Sequence, residues 1–333
     1  MMGKPPIHPV VWSPPAAPAR ARQDQSVPPM PRPELIALGA TGPEDVAIDA
    51  DGNVYTGVRD GRILRLPSGG GPPLLVADTG GRPLGVEVGP EGELIVCDAY
   101  RGLLRIAPDT GHVEVLVDEV GGQRLLLCDN AAVVPDGTVY FSDSSRRFDL
   151  AHWRADLMEH SGTGRLLRRD PRGGVEVLLD GLQFANGVAV AADGSFVAVA
   201  ETGAYRVTRL WLTGPRAGQH DVLVDNLPGF PDNMATGDQG RLWIAVAAPR
   251  NALLDWTHRH HPGLRQALWA LPERWQPAPA PTAWVLAIDA DGNVVRDLQG
   301  SHGHRLVTGV REHRGVLYLG SLVESNIARL PLD

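Results

Sequence analysis

PEDVAIDADGNVYTG, residues 43–57 of this 333-residue chain, is the most informative segment for its fold. It starts with polar residues, alternates apolar and polar residues, turns at Asp51 and Gly52, and continues into a second strand-like run. An Asp-Gly pair between alternating runs predicts a β-hairpin, because glycine readily adopts the positive φ that such turns require. The pattern recurs along the chain, which indicates an internal repeat.

Six copies of this pattern are present. They are residues 43–57, PLGVEVGPEGELIVC (83–97), CDNAAVVPDGTVYFS (128–142), ANGVAVAADGSFVAV (185–199) and the looser PDNMATGDQGRLWIA (231–245) and VTGVREHRGVLYLG (307–320). Further strand-like runs follow the hairpins, for example YRVTRLWL (205–212) and HDVLVDNL (220–227). Repeated four-stranded sheets are the blades of a propeller. The sequence therefore predicts an all-β fold, a six-bladed β-propeller with four-stranded blades.

The two ends of the chain complete this prediction. The last copy supplies only three strands, whereas ELIALGA, starting at Glu34, is a strand-like run without a partner. We expect this N-terminal strand to close the last blade, which would remove an exposed sheet edge. Residues 1–33 contain ten prolines, so we expect a disordered, Pro-rich arm before a propeller that spans residues 34–333.

Composition narrows the possible functions. An apolar share of 43% and a charged share of 21% are typical of a globular protein with a substantial core. The formal charge of −8, without a cluster of Lys and Arg, argues against nucleic-acid binding. Because neither a membrane-length apolar run nor a secretory signal is visible, we expect a cytoplasmic protein.

The repeat places six side chains on one axis, because the first strand of each propeller blade lines the central channel. These residues are Glu44, Leu84, Asp129, Asn186, Asp232 and Thr308. Carboxylate and amide oxygens with flexible geometry suit calcium. The predicted Ca²⁺ ligands are Glu44, Asp129, Asn186, Asp232 and Asn233. The alternative is that these side chains only satisfy backbone groups at strand starts.

Two long insertions are predicted to roof this axial site. They lie at about residues 143–164 and 247–283, in the loop between the second and third strands of their blades. The second holds Trp256 near His258, His260 and His261, in a stretch with the spacing of a short amphipathic helix. An aromatic roof over a polar floor suits a small amphiphilic substrate. Packing of the tryptophans onto the propeller and contact with a membrane surface are alternative uses of this helix.

Several longer motifs of this sequence are distinctive: GPEDVAID, LIVCDAYRGLLRI, DGTVYFSDSS, EVLLDGLQFANGVAV, VAETGAYRVTRLWL, NLPGFPDNMA and REHRGVLYLGSL. With these motifs the chain resembles the strictosidine synthase-like family, on the branch of the adipocyte plasma membrane-associated proteins, and more distantly the paraoxonases and gluconolactonases. The resemblance runs from about Glu34 to the C-terminus and implies a six-bladed propeller, as the repeat does.

The resemblance also implies functional residues. Paraoxonase-like calcium ligands correspond to Glu44, Asn186, Asp232 and Asn233, with Asp129 where those proteins usually have asparagine. Paraoxonases carry an axial histidine where this chain has Leu84, so their lactonase mechanism does not transfer intact. Strictosidine synthases carry their catalytic glutamate where this chain has Thr308, which argues against strictosidine synthesis.

The resulting hypothesis is a calcium-dependent hydrolase of lactones or esters, including aryl esters. Asp232 or Glu44 would assist attack by water, or Asp232 would itself be the nucleophile. Leu84, Thr308 and Trp256 are expected to contact the substrate. A secondary-metabolite synthase or cyclase of the same family and a non-catalytic binding propeller are the alternatives.

Overall fold

The computed structural model describes residues 4–276, 278–301 and 303–332, and it confirms the predicted six-bladed β-propeller with four-stranded blades. Each blade is an antiparallel sheet whose strands follow one another in chain order. The last blade is the exception, because its fourth strand comes from the N-terminal part of the chain.

The first half of the described chain supplies this closing strand and three blades. The closing strand is β1 (Glu34–Ala37). Blade 1 consists of β2 (Ala47–Ile48), β3 (Val54–Gly57), β4 (Arg62–Leu66) and β5 (Leu74–Asp78). Blade 2 consists of β6 (Pro83–Val88), β7 (Leu94–Asp98), β8 (Gly102–Ala107) and β9 (His112–Val117). A small hairpin follows, made of β10 (Glu119–Val120) and β11 (Gln123–Arg124). Blade 3 consists of β12 (Cys128–Val133), β13 (Val139–Asp143), β14 (Gly164–Arg169) and β15 (Val175–Leu182).

The second half supplies the remaining blades. Blade 4 consists of β16 (Ala185–Val190), β17 (Phe196–Glu201), β18 (Arg206–Trp211) and β19 (His220–Val224). Blade 5 consists of β20 (Gly229–Thr236), β21 (Leu242–Pro249), β22 (Ala283–Ile288) and β23 (Val294–Gly300). Blade 6 consists of β24 (Val307–His313), β25 (Val316–Ser321), β26 (Asn326–Pro331) and β1.

The α-helices lie in the two lid insertions, which occupy residues 144–163, between β13 and β14, and residues 250–282, between β21 and β22. The helices are α1 (Trp153–Glu159), α2 (Ala252–His258) and α3 (Gly263–Ala270). Short 3₁₀ turns occur at Ala19–Arg22, Leu150–His152, Thr202–Ala204, Gly214–Arg216, Asp238–Gly240 and Glu273–Trp275. Within the described ranges, none of the helices has the length and apolarity needed to cross a membrane.

The hairpin turns use the glycines of the Asp-Gly pairs, and the ring closes through the N-terminal strand, as expected from the sequence. Gly52 has a φ of 83° and Gly137 a φ of 86°, the positive values that the Asp-Gly turns require. β1 pairs antiparallel with β26, in a register that sets Glu34 opposite Arg329 and Ala37 opposite Asn326. This pairing hydrogen-bonds the outer edge of β26 and closes the ring of blades.

Residues 4–33 differ from the prediction of a disordered arm. They follow an extended path across the lid and blades 4 and 5, and bury Ile7 and Met30, which are 3% and 2% exposed. The prolines prevent regular structure but not docking, because an extended chain without internal hydrogen bonds offers its carbonyl groups to other partners. The carbonyl of Pro5 accepts from Trp269 Nε1, and that of Pro15 accepts from Arg250.

Candidate functional site

Five of the six axial residues lie in bulges of the inner strands, whereas Glu44 lies just before β2. Pairing between the first and second strands shifts register between Pro83 and Val86, Cys128 and Ala131, Ala185 and Val188, Pro231 and Met234, and Val307 and Val310. Each interval contains the predicted axial residue and the residue after it. β-Bulges are frequent next to active sites because they redirect side chains. Here they allow two successive residues of a strand to face the channel region.

Charge alternates around this axial ring. Blades 1, 3 and 5 contribute Glu44, Asp129 and Asp232. Blades 2, 4 and 6 contribute a residue without a carboxylate followed by glycine: Leu84 and Gly85, Asn186 and Gly187, Thr308 and Gly309. A Cβ on Gly187 would lie 2.3 Å from the backbone nitrogen of Met234. The glycines therefore let the inner strands of blades 2, 4 and 6 approach the backbone of the next blade. This alternation is visible in the sequence, but the prediction did not include it.

Glu44 is the most buried of the three ring carboxylates, and it accepts hydrogen bonds from a side chain of another blade. It is 2% exposed, and both of its carboxylate oxygens accept from Asn233 Nδ2 at 3.0 Å. Burial raises the pKa of Glu44 well above its usual value, and the negative charges of Asp232 and Asp129 raise it further. The position therefore favours either a proton or a cation beside the carboxylate.

Asp129 and Asp232 differ in their access to solvent. Asp129 is 5% exposed, and its Oδ2 accepts from Ser144 Oγ at 2.5 Å. Burial raises the pKa of Asp129 to about 7, despite the opposing hydrogen bond from Ser144. Asp232 is half-buried. Its pKa is raised well above the usual value, mainly by burial and secondly by the negative charge of Asp129. Of the three ring carboxylates, Asp232 is thus the one most open to a ligand.

Two amide oxygens of the ring have no hydrogen-bond partner among the residues that the structure describes. They are the Oδ1 atoms of Asn186 and Asn233, both fully buried. A buried polar atom without a partner carries a desolvation cost of about 1–3 kcal/mol, which a cation would remove. Within the described ranges, no three His, Cys, Asp or Glu side chains are close enough to hold a metal ion by themselves. Together with the neighbouring carboxylates, however, the two amide oxygens form an all-oxygen donor set that fits calcium.

A second polar layer, which the sequence prediction missed, lies next to the ring. Asp45 Oδ2 accepts from Asn130 Nδ2 at 3.2 Å and from the backbone nitrogen of Val86 at 3.2 Å. Burial raises the pKa of Asp45 to about 7, whereas the nearby Arg311 lowers it. Arg311 also pairs with Glu87. The signal for Asp45 and Asn130 was that each directly follows a ring carboxylate in the sequence.

A cavity of about 280 Å³ lies between the ring and the lid insertions. Glu44, Asp129, Asn186 and Asp232 line it together with Leu84 and Thr308. The remaining wall is mostly apolar. It includes Leu127, Leu150, Trp153, Leu157, Phe184, Phe230, Leu254 and Leu268.

Trp256 does not take the predicted place in this wall. It is absent from the cavity lining, is 48% exposed, and stacks on His260 with ring centroids 4.2 Å apart. The amphipathic spacing of α2 placed it on the helix but did not indicate which face would turn inward. Trp153 of α1 supplies an aromatic lid side chain to the cavity instead.

The N-terminal arm fastens the lid at a buried aromatic cluster. Trp12 stacks on His160 at 4.1 Å between ring centroids and meets His258 edge-on at 5.4 Å. Arg265 lies 2.9 Å from His258 Nδ1. Burial lowers the pKa of His160 to about 3 and that of His258 to about 2, so both imidazoles are neutral at pH 7. The cluster joins the arm to residues that end α1 and α2.

Comparison with solved structures supports the architecture. A gluconolactonase from Xanthomonas campestris superimposes with a TM-score of 0.66 at 18% identity, over 99% of this chain and 98% of that one. Regucalcin from Agrobacterium tumefaciens, described as a calcium-binding protein, superimposes with a TM-score of 0.63 at 14% identity, over 91% and 94%. At these identities the similarity establishes the fold.

Comparison with known sequences establishes the family. The strictosidine synthase profile matches residues 129–215, and the profile of the N-terminal part of strictosidine synthase-like proteins matches residues 30–66. Protein STRICTOSIDINE SYNTHASE-LIKE 6 of Arabidopsis thaliana is 36% identical over 90% of this chain and 81% of its own length. The human adipocyte plasma membrane-associated protein is 33% identical over 88% and 76%. With its propeller fold and axial ring, this chain belongs to the strictosidine synthase-like family.

Proposed function

We propose that this protein is a calcium-dependent hydrolase of lactones or esters. The observation that carries the proposal is the set of three carboxylates and Asn186 that lines an apolar cavity, together with the Oδ1 atoms of Asn186 and Asn233, which have no partner among the described residues. The structural similarity to a gluconolactonase supports the proposal as an analogy of fold. A bound calcium ion would supply Lewis-acid polarisation of the substrate carbonyl.

The protein side chains have distinct roles in this proposal. Glu44, Asp129, Asn186, Asp232 and Asn233 would hold the ion. Ser144 and Asn233 fix the orientations of Asp129 and Glu44 through the hydrogen bonds described above. Fixed orientation matters because carboxylates that reorient during the reaction would add to the barrier.

Asp232 is the residue best placed to act on the substrate, because it is more exposed to the cavity than Glu44 or Asp129. It either accepts a proton from the attacking water or attacks the carbonyl carbon itself. The mostly apolar wall and the lid would limit the number of water molecules around the reacting carbonyl. An apolar wall beside a polar floor favours an amphiphilic substrate over a highly charged one.

The test combines metal content with turnover. The purified protein should contain about one calcium ion per chain and hydrolyse members of a panel of lactones and aryl esters, with activity lost to a calcium chelator and restored by calcium. Asp232→Asn should reduce kcat by on the order of 100-fold or more. Asp238→Asn is the matched control, since Asp238 is exposed and outside the cavity lining.

Two results would contradict the proposal. One is full hydrolysis by a folded Asp232→Asn protein. The other is a protein that binds calcium and is stabilised by it but hydrolyses no member of the panel, which would favour a binding propeller.

A further inference from the structure

Apart from the ring, a small set of polar side chains lines the cavity, and almost all of them already have partners. Thr202 Oγ1 donates to the Pro231 carbonyl at 2.7 Å. Asn251 Oδ1 accepts from the backbone nitrogen of Leu254 at 3.0 Å, and Gln276 Nε2 donates to the Trp269 carbonyl at 3.2 Å. The Thr202 contact joins blades 4 and 5, and the contacts of Asn251 and Gln276 lie within the second lid insertion, so the atoms named are already used inside the protein.

The two arginines of the lining differ. Arg250 is saturated: it pairs with Asp255 at 2.9 Å and also donates to Asn226 and to the Pro15 carbonyl. Arg154 lies over the ring of Trp153, with its guanidinium carbon 5.2 Å from the ring centroid. Among the residues that the structure describes, it has no hydrogen bond and no ion pair.

This lack of a partner is unusual for its surroundings. Arg146 and Arg147, in the same lid insertion, pair with Asp180 and Glu159. Arg154 is half-buried and lines the cavity, although the chain as a whole carries a formal charge of −8. The five donors of Arg154 are not used within the described part of the protein and are therefore available to an acceptor on a ligand. A carboxylate is the group that a guanidinium binds best, because the two planar groups can form paired hydrogen bonds.

We propose that Arg154 binds the anionic end of an amphiphilic substrate whose carbonyl end reaches the axial ring. The ring recognises the polar, reacting end, the apolar wall accommodates a hydrocarbon middle, and the cation at the lid pairs with a terminal carboxylate. The placement of the reacting carbonyl rests on the proposed function, whereas binding of the carboxylate does not. The cavity should accordingly favour carboxylated hydrophobic esters or lactones over neutral ones of equal length.

Arg274 provides a matched control. Its guanidinium carbon lies 5.5 Å from the ring centroid of the adjacent Trp275, the same kind of contact that Arg154 makes with Trp153. Arg274 is on the second lid insertion and is absent from the cavity lining. Arg274→Gln therefore removes a charge and a similar cation–π contact without changing the cavity.

The kinetic experiment compares p-nitrophenyl octanoate with the mono-p-nitrophenyl ester of octanedioic acid, which has the same chain length and a terminal carboxylate. In Arg154→Gln, KM for the carboxylated ester should rise by on the order of tenfold, whereas KM for the neutral ester should change by less than about twofold. Arg154→Lys should recover part of the loss, and Arg274→Gln should behave as the wild type. Equal effects of Arg154→Gln on both esters, or no effect on the carboxylated ester, would overturn the proposal.

A binding experiment separates this inference from the proposed hydrolase activity. It uses the monoamide of octanedioic acid and octanamide as unreactive probes, with chelator-treated protein and calorimetric detection. The wild type should bind the carboxylated amide at least about tenfold more tightly than octanamide, and Arg154→Gln should lose this preference. If that preference appears while no member of the lactone and ester panel is hydrolysed, the hydrolase proposal fails and the binding of the carboxylate by Arg154 stands. If the esters are hydrolysed without any preference for the carboxylate, the inference fails and the hydrolase proposal stands. Absence of both the preference and the hydrolysis would overturn both.

Discussion

Gly187 allows two neighbouring inner strands of the propeller to pack closely at the axial ring. A Cβ at this position would lie 2.3 Å from Met234 N and 2.4 Å from the carbonyl oxygen of Asp232, both backbone atoms of the neighbouring inner strand. Because the backbone cannot move aside as a flexible side chain can, Gly187→Ala should force β16 and β20 apart. We expect a loss of about 1–3 kcal/mol in the free energy of unfolding.

The control for this prediction is Gly69→Ala. Among the described residues, no atom lies within 4 Å of the position that a Cβ would take at Gly69. This change should therefore alter the free energy of unfolding by less than about 0.5 kcal/mol. Urea unfolding of the two variants and the wild type measures the difference. Equal stability of Gly187→Ala and Gly69→Ala would show that the inner strands are not packed as closely as the structure has them.

At the scale of elements, the attachment of the arm to α1 should depend on pH. Burial, with the charges of Arg265 and Arg206, lowers the pKa of His160 to about 3, whereas an unfolded histidine titrates near 6.5. Between these pH values the unfolded chain binds a proton that the folded chain does not. Stability should therefore be complete above about pH 6.5 and fall as the pH is lowered toward 3.

His160→Asn isolates this contribution. His160 follows α1 with a φ of 56°, a left-handed conformation that asparagine tolerates, so the backbone should be retained. Between about pH 4 and 6, the variant should lose less stability on acidification than the wild type, by up to about 1.4 kcal/mol per pH unit. His220→Asn, at an exposed position on blade 4, should leave the pH dependence unchanged. Parallel pH profiles for the wild type and His160→Asn would contradict the prediction.

At the scale of the whole molecule, the propeller depends on the pairing of β1 with β26. A chain that starts at Glu34 keeps β1, whereas a chain that starts at Leu38 leaves Asn326–Pro331 with an open edge. The shorter chain should melt about 5 °C or more below the longer one and should associate through the open edge. Both chains lack the arm, so the difference between them isolates the closing strand. Thermal melting and size-exclusion chromatography measure it; identical behaviour would show that closure does not stabilise the ring.

Much of the fold and part of the site followed from the sequence because they depend on local patterns. An Asp-Gly turn and the alternation of a strand are set by neighbours a few residues apart, so the hairpin at residues 43–57 and its repeats were recognisable. Once the repeat fixed a common register, the positions of Glu44, Asp129, Asn186 and Asp232 at the axis followed as well. The missing strand in the last repeat similarly predicted the role of Glu34–Ala37.

The tertiary structure alone decided which side chains of the irregular segments face the cavity. Trp256 and Trp153 both lie in lid insertions, yet only the latter lines the cavity, because the docking of each helix depends on distant contacts rather than on its own spacing. The docked arm likewise depends on partners such as His160, which is far from Trp12 in the chain. Sequence patterns depend on residues that are close together in the chain. The place of Arg154 in the cavity wall and the cluster around Trp12 instead result from packing between segments that are far apart in the chain.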